Sequence, residues 1–430
     1  MTESPLKVAL LGCGVVGSQV ARLLIEQADD LRARVGRPLE LVGVAERSET
    51  FARPGIDPAL VTTDAEGLIA RSDIVIELIG GIEPARSLIM KAFESGAAVV
   101  TANKALLAMD GPAIYEAAEA HGVDIYFEAA VAGAIPIVRP LRESLVGDEI
   151  TAVTGIVNGT TNYILDRMTA EGPSASFADV LAQAQQLGYA EADPTADIEG
   201  YDAANKAAIL SSLAFHTRVT LPDVVREGIT GVTAAHIKAA AELGCVVKLL
   251  ARCALSEDGS VAASVHPTMV PKSNPLAAIP GVLNAVLIES RYAGRLMFMG
   301  PGAGGVPTAS AVVGDVVTAG RNRMRGTVGP GESAYTDRAI TPAGAERSRY
   351  WVAMVVEDRP GVLAEIAAVF ARHKVSLQAV RQDQEADARG ARLSVMTHVA
   401  GSADVQAALA EFATMPQVLA RVDSMRVEGN

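Results

Sequence analysis

Gly12, Gly14 and Gly17 stand in G-x-G-x-x-G spacing, with Cys13, Val15 and Val16 between them. They lie directly after the apolar run of residues 7–11 and directly before residues 18–27, whose apolar spacing suits a helix. That order reads as strand, tight turn, helix. The first glycine permits the turn, the second lets the backbone approach a pyrophosphate, and the third lets the helix pack closely on the strand. Helix-terminal N–H groups then face phosphate oxygens. The triplet alone would suit any glycine-rich turn; its setting makes it a dinucleotide site. Apolar runs recur at residues 39–44, 74–79, 97–101 and 124–127, separated by helical patterns at 84–95 and 111–121. Such alternation implies a doubly wound parallel sheet covered on both faces, a Rossmann-type α/β unit.

That unit accounts for about residues 1–147 of a 430-residue chain, so further domains are required. From 148 to 325 the pieces are longer: a strand at 151–157, helices at 160–169, 177–187 and 201–215, then several strands between 246 and 299. This predicts an α+β substrate domain. The helical pattern at 307–321 has apolar spacing that returns it to the first unit. Residues 326–348, rich in Gly, Pro and Ser, read as a linker. Residues 349–430 follow the order βαββαβ, a ferredoxin-like pattern.

A net charge of −13 without a basic stripe argues against a nucleic-acid surface. Cys13, Cys245 and Cys253 have no metal-ligand spacing, and so sparse a set suits a reducing compartment. The polar lead from Met1 to Pro5 has no apolar signal core, and no apolar run reaches spanning length. A cytoplasmic protein with no membrane partner is expected.

Four further segments carry polar chemistry. The second strand ends in Glu46-Arg47, where an acid suits the ribose 2′-OH of NAD and an arginine the 2′-phosphate of NADP. NADP is preferred with NAD left open, and Arg47 reads equally well as a solvated charge. Thr101-Ala102-Asn103-Lys104 lies at the C-terminal end of a buried strand, where open α/β sheets place ligands. Lys104 there can meet a carboxylate, or merely snorkel to solvent. Residues 188–197 gather Glu191, Asp193 and Asp197, followed by Asp202 and Lys206 at i and i+4 on one helix face. The plain reading is a surface ion pair. Because the helix beyond is almost wholly apolar, the pair is instead drawn inward, where a lysine pKa falls toward the range useful for general acid/base work. The glycine-dense loop at 300–308, with Gly304 before a helix starting near Pro307, suits a cofactor contact or a flexible turn. In the terminal unit, Asp358-Arg359-Pro360-Gly361-Val362-Leu363 joins strand to helix and could offer backbone N–H groups to an amino acid's carboxylate, or be purely structural.

Taken together, the glycine triplet, Thr101-Ala102-Asn103-Lys104, Asn158-Gly159-Thr160-Thr161-Asn162, the 188–194 segment with Asp202 and Lys206, and the 302–315 segment resemble homoserine dehydrogenases over nearly the whole length. The terminal unit resembles an ACT domain. The resemblance implies reversible NAD(P)H-dependent reduction of L-aspartate 4-semialdehyde to L-homoserine, a step toward threonine, methionine and isoleucine. It implies that Lys206 is the proton donor and acceptor, with Asp202 orienting it, and that Glu191 and Asp197 belong to the substrate site. Lys104 would contact cofactor and substrate, with Thr101, Arg47 and Gly304 joining residues 12–17 at the cofactor. A monovalent cation such as sodium is implied at Glu128, Val131, Gly133 and Ile135, mostly through backbone carbonyls. Also implied are a homodimer built through the 148–325 domain or a homotetramer, and an L-threonine effector. No kinase-like half precedes the nucleotide unit, so a monofunctional chain is expected. The rival readings are a binding protein without turnover, against which Lys104, Glu191, Asp202 and Lys206 speak, and a reductase of another amino-acid aldehyde.

Overall fold

A computed structural model of the chain describes residues 4–48, 53–174, 176–384 and 390–429. The first three residues of the polar lead therefore lie outside the described residues. The first unit runs β1 (Leu6–Leu11), α1 (Val15–Glu26), α2 (Ala28–Val35), β2 (Leu39–Ala45), β3 (Val61–Thr62), α3 (Ala65–Ile69), β4 (Ile74–Glu77), α4 (Ala85–Glu94), β5 (Ala98–Thr101), α5 (Lys104–His121) and β6 (Ile125–Tyr126). All six strands are parallel, in the order β3-β2-β1-β4-β5-β6. Strand alternation feeds two cores. Val8 and Leu10 join Val20, Ala309 and Val316 on one face, whereas Ala9 and Leu11 join Ile89, Phe93 and Ile114 on the other. β3, only two residues long, carries no periodicity that a sequence reading could detect.

Each glycine of the first turn answers a different demand. Gly12 has φ +90°, and a Cβ there would stand 2.9 Å from the Leu78 carbonyl. At Gly17 a Cβ would fall 2.2 Å from the Gly12 oxygen. Around Gly14 there is nothing within 4 Å, so this glycine keeps space clear rather than relieving a contact.

The second unit comprises β7 (Ile150–Ile156), α6 (Gly159–Glu171), α7 (Phe177–Gln186), α8 (Thr195–Ile198), α9 (Tyr201–Phe215), β8 (Val225–Arg226), α10 (Ala234–Glu242), β9 (Cys245–Leu255), β10 (Val261–Pro271), β11 (Leu283–Ser290) and β12 (Gly294–Pro301). Next comes α11 (Gly305–Arg325), longer than the 307–321 pattern because Gly304 and Gly326, both at positive φ, set its two ends. It packs on the first unit: a Cβ on Gly305 would lie 3.0 Å from the Val15 oxygen, and one on Gly320 the same distance from Val35.

The terminal unit has β13 (Arg347–Val356), α12 (Val362–Arg372), β14 (Leu377–Gln384), β15 (Ala391–Thr397), β16 (Ala400–Gly401), α13 (Ser402–Phe412) and β17 (Asp423–Val427). Its sheet is continuous with that of the second unit. The combined order is β12-β11-β7-β9-β10-β17-β13-β15-β14, with β8 on β10 and β16 on β13. The seam is a short parallel pairing, Thr268 with Arg426 and Met269 with Val427, extended by Glu428 N–H donating to Met269 at 2.9 Å. Nor is the expected linker loose. Gly329 N–H donates to Asp124, Arg142 donates to the Gly331 carbonyl at 2.9 Å, Glu332 pairs with Arg218 at 2.8 Å, and Thr341 N–H donates to Val261. Backbone groups that a composition reading leaves to solvent are satisfied by partners on both units.

Candidate active site

The polar cluster forms where the β5–α5 turn of the first unit meets the end of β7 and the start of α9. Glu77, ending β4, is fully buried, and its carboxylate accepts the N–H groups of Ile79 (2.8 Å) and Gly80 (3.0 Å) and the Thr101 hydroxyl (2.6 Å). Asn103 takes its own N–H bond to that hydroxyl, caps α5 at Leu106 and donates to the Gly81 carbonyl at 2.7 Å. This frame presents Lys104 at the first residue of α5. The Thr101 hydroxyl is thus spent inside the turn.

Across the junction, α9 carries Asp202 and Lys206 one turn apart. Lys206 Nζ donates to Asp202 at 2.7 Å and to the Val157 carbonyl at 2.6 Å. Lys104 Nζ lies 3.2 Å from the other oxygen of Asp202. One carboxylate thus joins a lysine of each unit. Asn158, the N-cap of α6, completes the network by donating to Asp202 (2.9 Å) and Asp197 (2.7 Å). Side-chain exposures of 12% for Asp202 and 10% for Lys206 exclude the surface reading. Removing one partner then costs about 3–5 kcal/mol, against a few tenths for an exposed i,i+4 pair.

Burial pushes the Asp202 carboxyl up, but the ammonium groups of Lys206 and Lys104 and their hydrogen bonds outweigh it and hold it well below the usual carboxylate range. Burial lowers Lys206; Asp202 pulls it back up only in part, and Lys104 lowers it further. Asp197 is raised by burial despite the Asn158 bond. An ammonium has three donors, and two of Lys206's are committed, which leaves one for a ligand oxygen. Glu191 lies outside this network, in the exposed turn between α7 and α8. Gln185 holds its backbone carbonyl at 3.0 Å, while its carboxylate makes no bond among the described residues.

At the glycine turn, α1 and α11 begin in contact, and neither N-terminus has a side-chain cap. Two sets of unpaired helix N–H groups beside the clear space at Gly14 suit a pyrophosphate. Cys13 is buried, and its N–H donates to the Glu46 carboxylate, while Arg47 is exposed without an ion pair among the described residues. Nearby, Gly133 packs so closely on Gly302 that a Cβ would fall 2.5 Å from its carbonyl. Glu128 spends its carboxylate on the N–H groups of Ile137 (2.6 Å), Val138 (2.7 Å) and Arg139 (3.0 Å). Val131, Gly133 and Ile135 are buried, and their carbonyls accept no hydrogen bond among the described residues.

Residues 12–128 match the family model described as the NAD-binding domain of homoserine dehydrogenase, 136–317 match homoserine dehydrogenase itself, and 350–416 match the ACT domain. A homoserine dehydrogenase of Mycobacterium tuberculosis is 54% identical over 93% of this chain and 92% of its own length. One from Corynebacterium glutamicum is 51% identical over 99% and 96%. The chain belongs to the homoserine dehydrogenase family. A crystal structure of a homoserine dehydrogenase from Thiobacillus denitrificans superimposes with a TM-score of 0.91 at 39% identity, over 99% of this chain and 98% of that one. A mutant hyperthermophilic archaeal homoserine dehydrogenase solved with NADPH has a TM-score of 0.62 at 27% identity, over 74% and 98%. The chain is an NAD(P)-dependent oxidoreductase of amino-acid biosynthesis that acts on a CH–OH group, with Rossmann, α+β and ACT units. Among the described residues, no helix is long and apolar enough to cross a membrane.

Several members of this site carry no signal of their own in sequence. Glu77 is detectable only as an acid closing an otherwise apolar strand, and Asn158 only as a cap before Gly-Thr-Thr. Asp315 is a lone acid in an apolar helix; buried, it accepts the Glu128 N–H at 2.8 Å and pairs with Arg139, and burial pushes it up to about 7.

Because Asp202 raises the Lys206 pKa, Asp202→Asn should lower it further. The neutral amine then exists at lower pH, and the rising limb of homoserine oxidation moves to lower pH. A kcat/KM profile against pH checks this, and an unmoved limb contradicts it.

Proposed function

We propose that Lys206 exchanges the proton in the interconversion of L-aspartate 4-semialdehyde and L-homoserine. When bound, the nicotinamide supplies the hydride in the reductive direction and takes it back in the oxidative one. The observation that carries the proposal is the Lys206 ammonium, buried and tethered at two of its three donors. In reduction, the remaining N–H gives its proton to the aldehyde oxygen as that oxygen gains negative charge; in oxidation, the neutral amine removes the proton from the hydroxyl. Asp202 keeps Nζ in place and balances its charge, and Lys104, on the same carboxylate, reaches both cofactor and substrate. Glu191, exposed and with its carboxylate unbonded among the described residues, takes the substrate's ammonium group, with Asp197 held in line by Asn158.

Residues 12–17 and Gly304 cradle the pyrophosphate. For the 2′-phosphate, exposed Arg47 favours NADP, and the NADPH complex of the archaeal relative accords with that. Glu46 next to it favours NAD as a second cofactor, since its carboxylate already sits against the glycine turn. The free carbonyls of Val131, Gly133 and Ile135 suit a monovalent cation such as sodium, with Glu128 contributing its backbone because its carboxylate is spent. The charge of such an ion would hold this loop against the Gly302 loop. We further infer a cytoplasmic homodimer through the second unit, or a homotetramer. Exposed Met297 and Met299 on edge strand β12 support an interface there.

The test is the absorbance change of NADP(H) with homoserine or the semialdehyde. Lys206→Ala should cut kcat by about 10²–10⁴; unchanged turnover would remove Lys206 from the chemistry.

For L-threonine, the turn at 358–363 is the proposed receptor, since Gly361 holds φ +96° and opens α12 without a side-chain cap. Deleting the terminal unit would strip β17 from β10, so a point change is cleaner. Gly361→Val should abolish threonine inhibition and leave the uninhibited rate intact. Inhibition that persists at the same threonine concentration would contradict this receptor.

A further inference from the structure

The segment Asn158-Gly159-Thr160-Thr161-Asn162 sets two asparagines about one helical turn apart. The catalytic network uses only the first. Asn162 is buried, and its bonds run to other elements: its amide donates to the carbonyls of Gly281 at 2.8 Å and Leu283 at 3.2 Å, and its oxygen accepts the Lys248 ammonium at 2.9 Å. Lys248, on β9, is only 2% exposed. It also donates to the Ile279 carbonyl at 2.7 Å, and the Asp166 carboxylate stands 3.7 Å away.

Replacing buried charges by apolar side chains of similar volume often costs no stability, so stability alone does not call for this lysine. What it supplies is position. Asp166, one turn beyond Asn162, accepts the Gly281 N–H at 2.9 Å. Lys248, Asn162 and Asp166 together therefore fasten residues 279–283 to α6, and α6 to β9. The same loop meets the helix again at its start, where Gly159 packs so closely on Val282 that a Cβ would fall 2.6 Å from the carbonyl oxygen. Asn158 caps that start: its oxygen accepts the Thr161 N–H at 2.8 Å, while its amide donates to Asp202 at 2.9 Å and to Asp197 at 2.7 Å. A fully satisfied polar network of this kind specifies one geometry. A shifted α6 would carry Asn158 off both acids.

We propose that Lys248 is a positioning residue of the active site: through Asn162 and residues 279–283 it holds the first turn of α6 so that Asn158 reaches Asp202 and Asp197 together. Its burial keeps it out of reach of substrate and cofactor. The consequence for the chemistry runs through charge. Lys206 is faced by Asp202 on its own helix, by Lys104 of α5 and by Asp197 of α8. Asn158 takes up part of the Asp202 charge; without that bond the carboxylate pulls harder on the Lys206 proton. Losing Lys248 should therefore raise the Lys206 pKa, the opposite of removing the Asp202 charge. That direction rests on the proton-transfer reading of Lys206, whereas the link from Lys248 to Asn158 does not.

Lys248→Met keeps the length of the side chain and removes its donors. In the full chain it should lower kcat for homoserine oxidation by about ten- to a hundredfold. The KM for the nicotinamide cofactor should not change, because the cradle at residues 12–17 belongs to the other unit. The rising limb of kcat/KM against pH should move to higher pH, as it should in Asn158→Ala. In an Asn158→Ala background, Lys248→Met should cost no further kcat. Should Lys248→Met fail to fold, Asn162→Ala breaks the same link from the other side, leaves Lys248 its Ile279 bond, and carries the same expectations. A lowered Tm with kcat and the limb unmoved would make Lys248 a structural part only, and kcat losses that multiply with Asn158→Ala would sever the link; either result overturns the proposal. Full turnover in Lys206→Ala, with Lys248→Met and Asn158→Ala still non-additive, would remove the Lys206 reading and leave the positioning role standing.

Discussion

Asp202 shares one carboxylate between two ammonium groups, Lys206 from its own helix and Lys104 from the nucleotide unit, and the geometry of the site depends on that sharing. Burying any one of these charges alone would be costly. Burying Asp202 and Lys206 together, with half-exposed Lys104 on the same carboxylate and with further hydrogen bonds from Asn158 and to the Val157 carbonyl, lets a charged centre sit at the junction of two cores. The outcome is an ammonium with a lowered pKa, one free donor and little freedom to move, as proton transfer to a substrate oxygen requires.

The scaffold serves that arrangement by bringing backbones unusually close. Gly17 against Gly12, Gly133 against Gly302 and Gly159 against the Val282 carbonyl, where a Cβ would fall at 2.6 Å, each bring loops of different elements nearer than a side chain would allow. Gly305 on the Val15 oxygen likewise sets α1 and α11 start to start at the cofactor cradle, and the Lys206 bond to the Val157 carbonyl holds the end of β7 next to α9. At the other end of the molecule, the ACT unit extends the catalytic sheet itself. Its seam at β17–β10 lies two strands from β7, which ends at the active site.

The continuous apolar runs and the glycine spacing made the Rossmann sheet legible, because a parallel strand buried on both faces announces itself by composition. The terminal βαββαβ order was legible from its succession of strand and helix patterns. Asp202 and Lys206 could be paired because helical spacing is local. Their link to Lys104 could not be derived, since it spans about a hundred residues and is decided by domain packing. Glu77, Asn158 and Asp315 are single polar residues whose meaning lies wholly in their partners. The 326–348 segment joins α11 to β13 as a connection, but its tethering to Asp124, Arg142 and Arg218 was not legible, because Gly, Pro and Ser report local conformation and not tertiary partners. The fusion of the two sheets rests on two residue pairs, too few to leave a pattern.

If Asp202 acts through Lys206, removing both should cost no more than removing the lysine alone. The decisive measurement is kcat for Asp202→Asn, Lys206→Ala and the double variant, in a non-additive cycle. The account predicts a double variant as active as Lys206→Ala. Losses that multiply would mean that the carboxylate contributes by another route, and would contradict it.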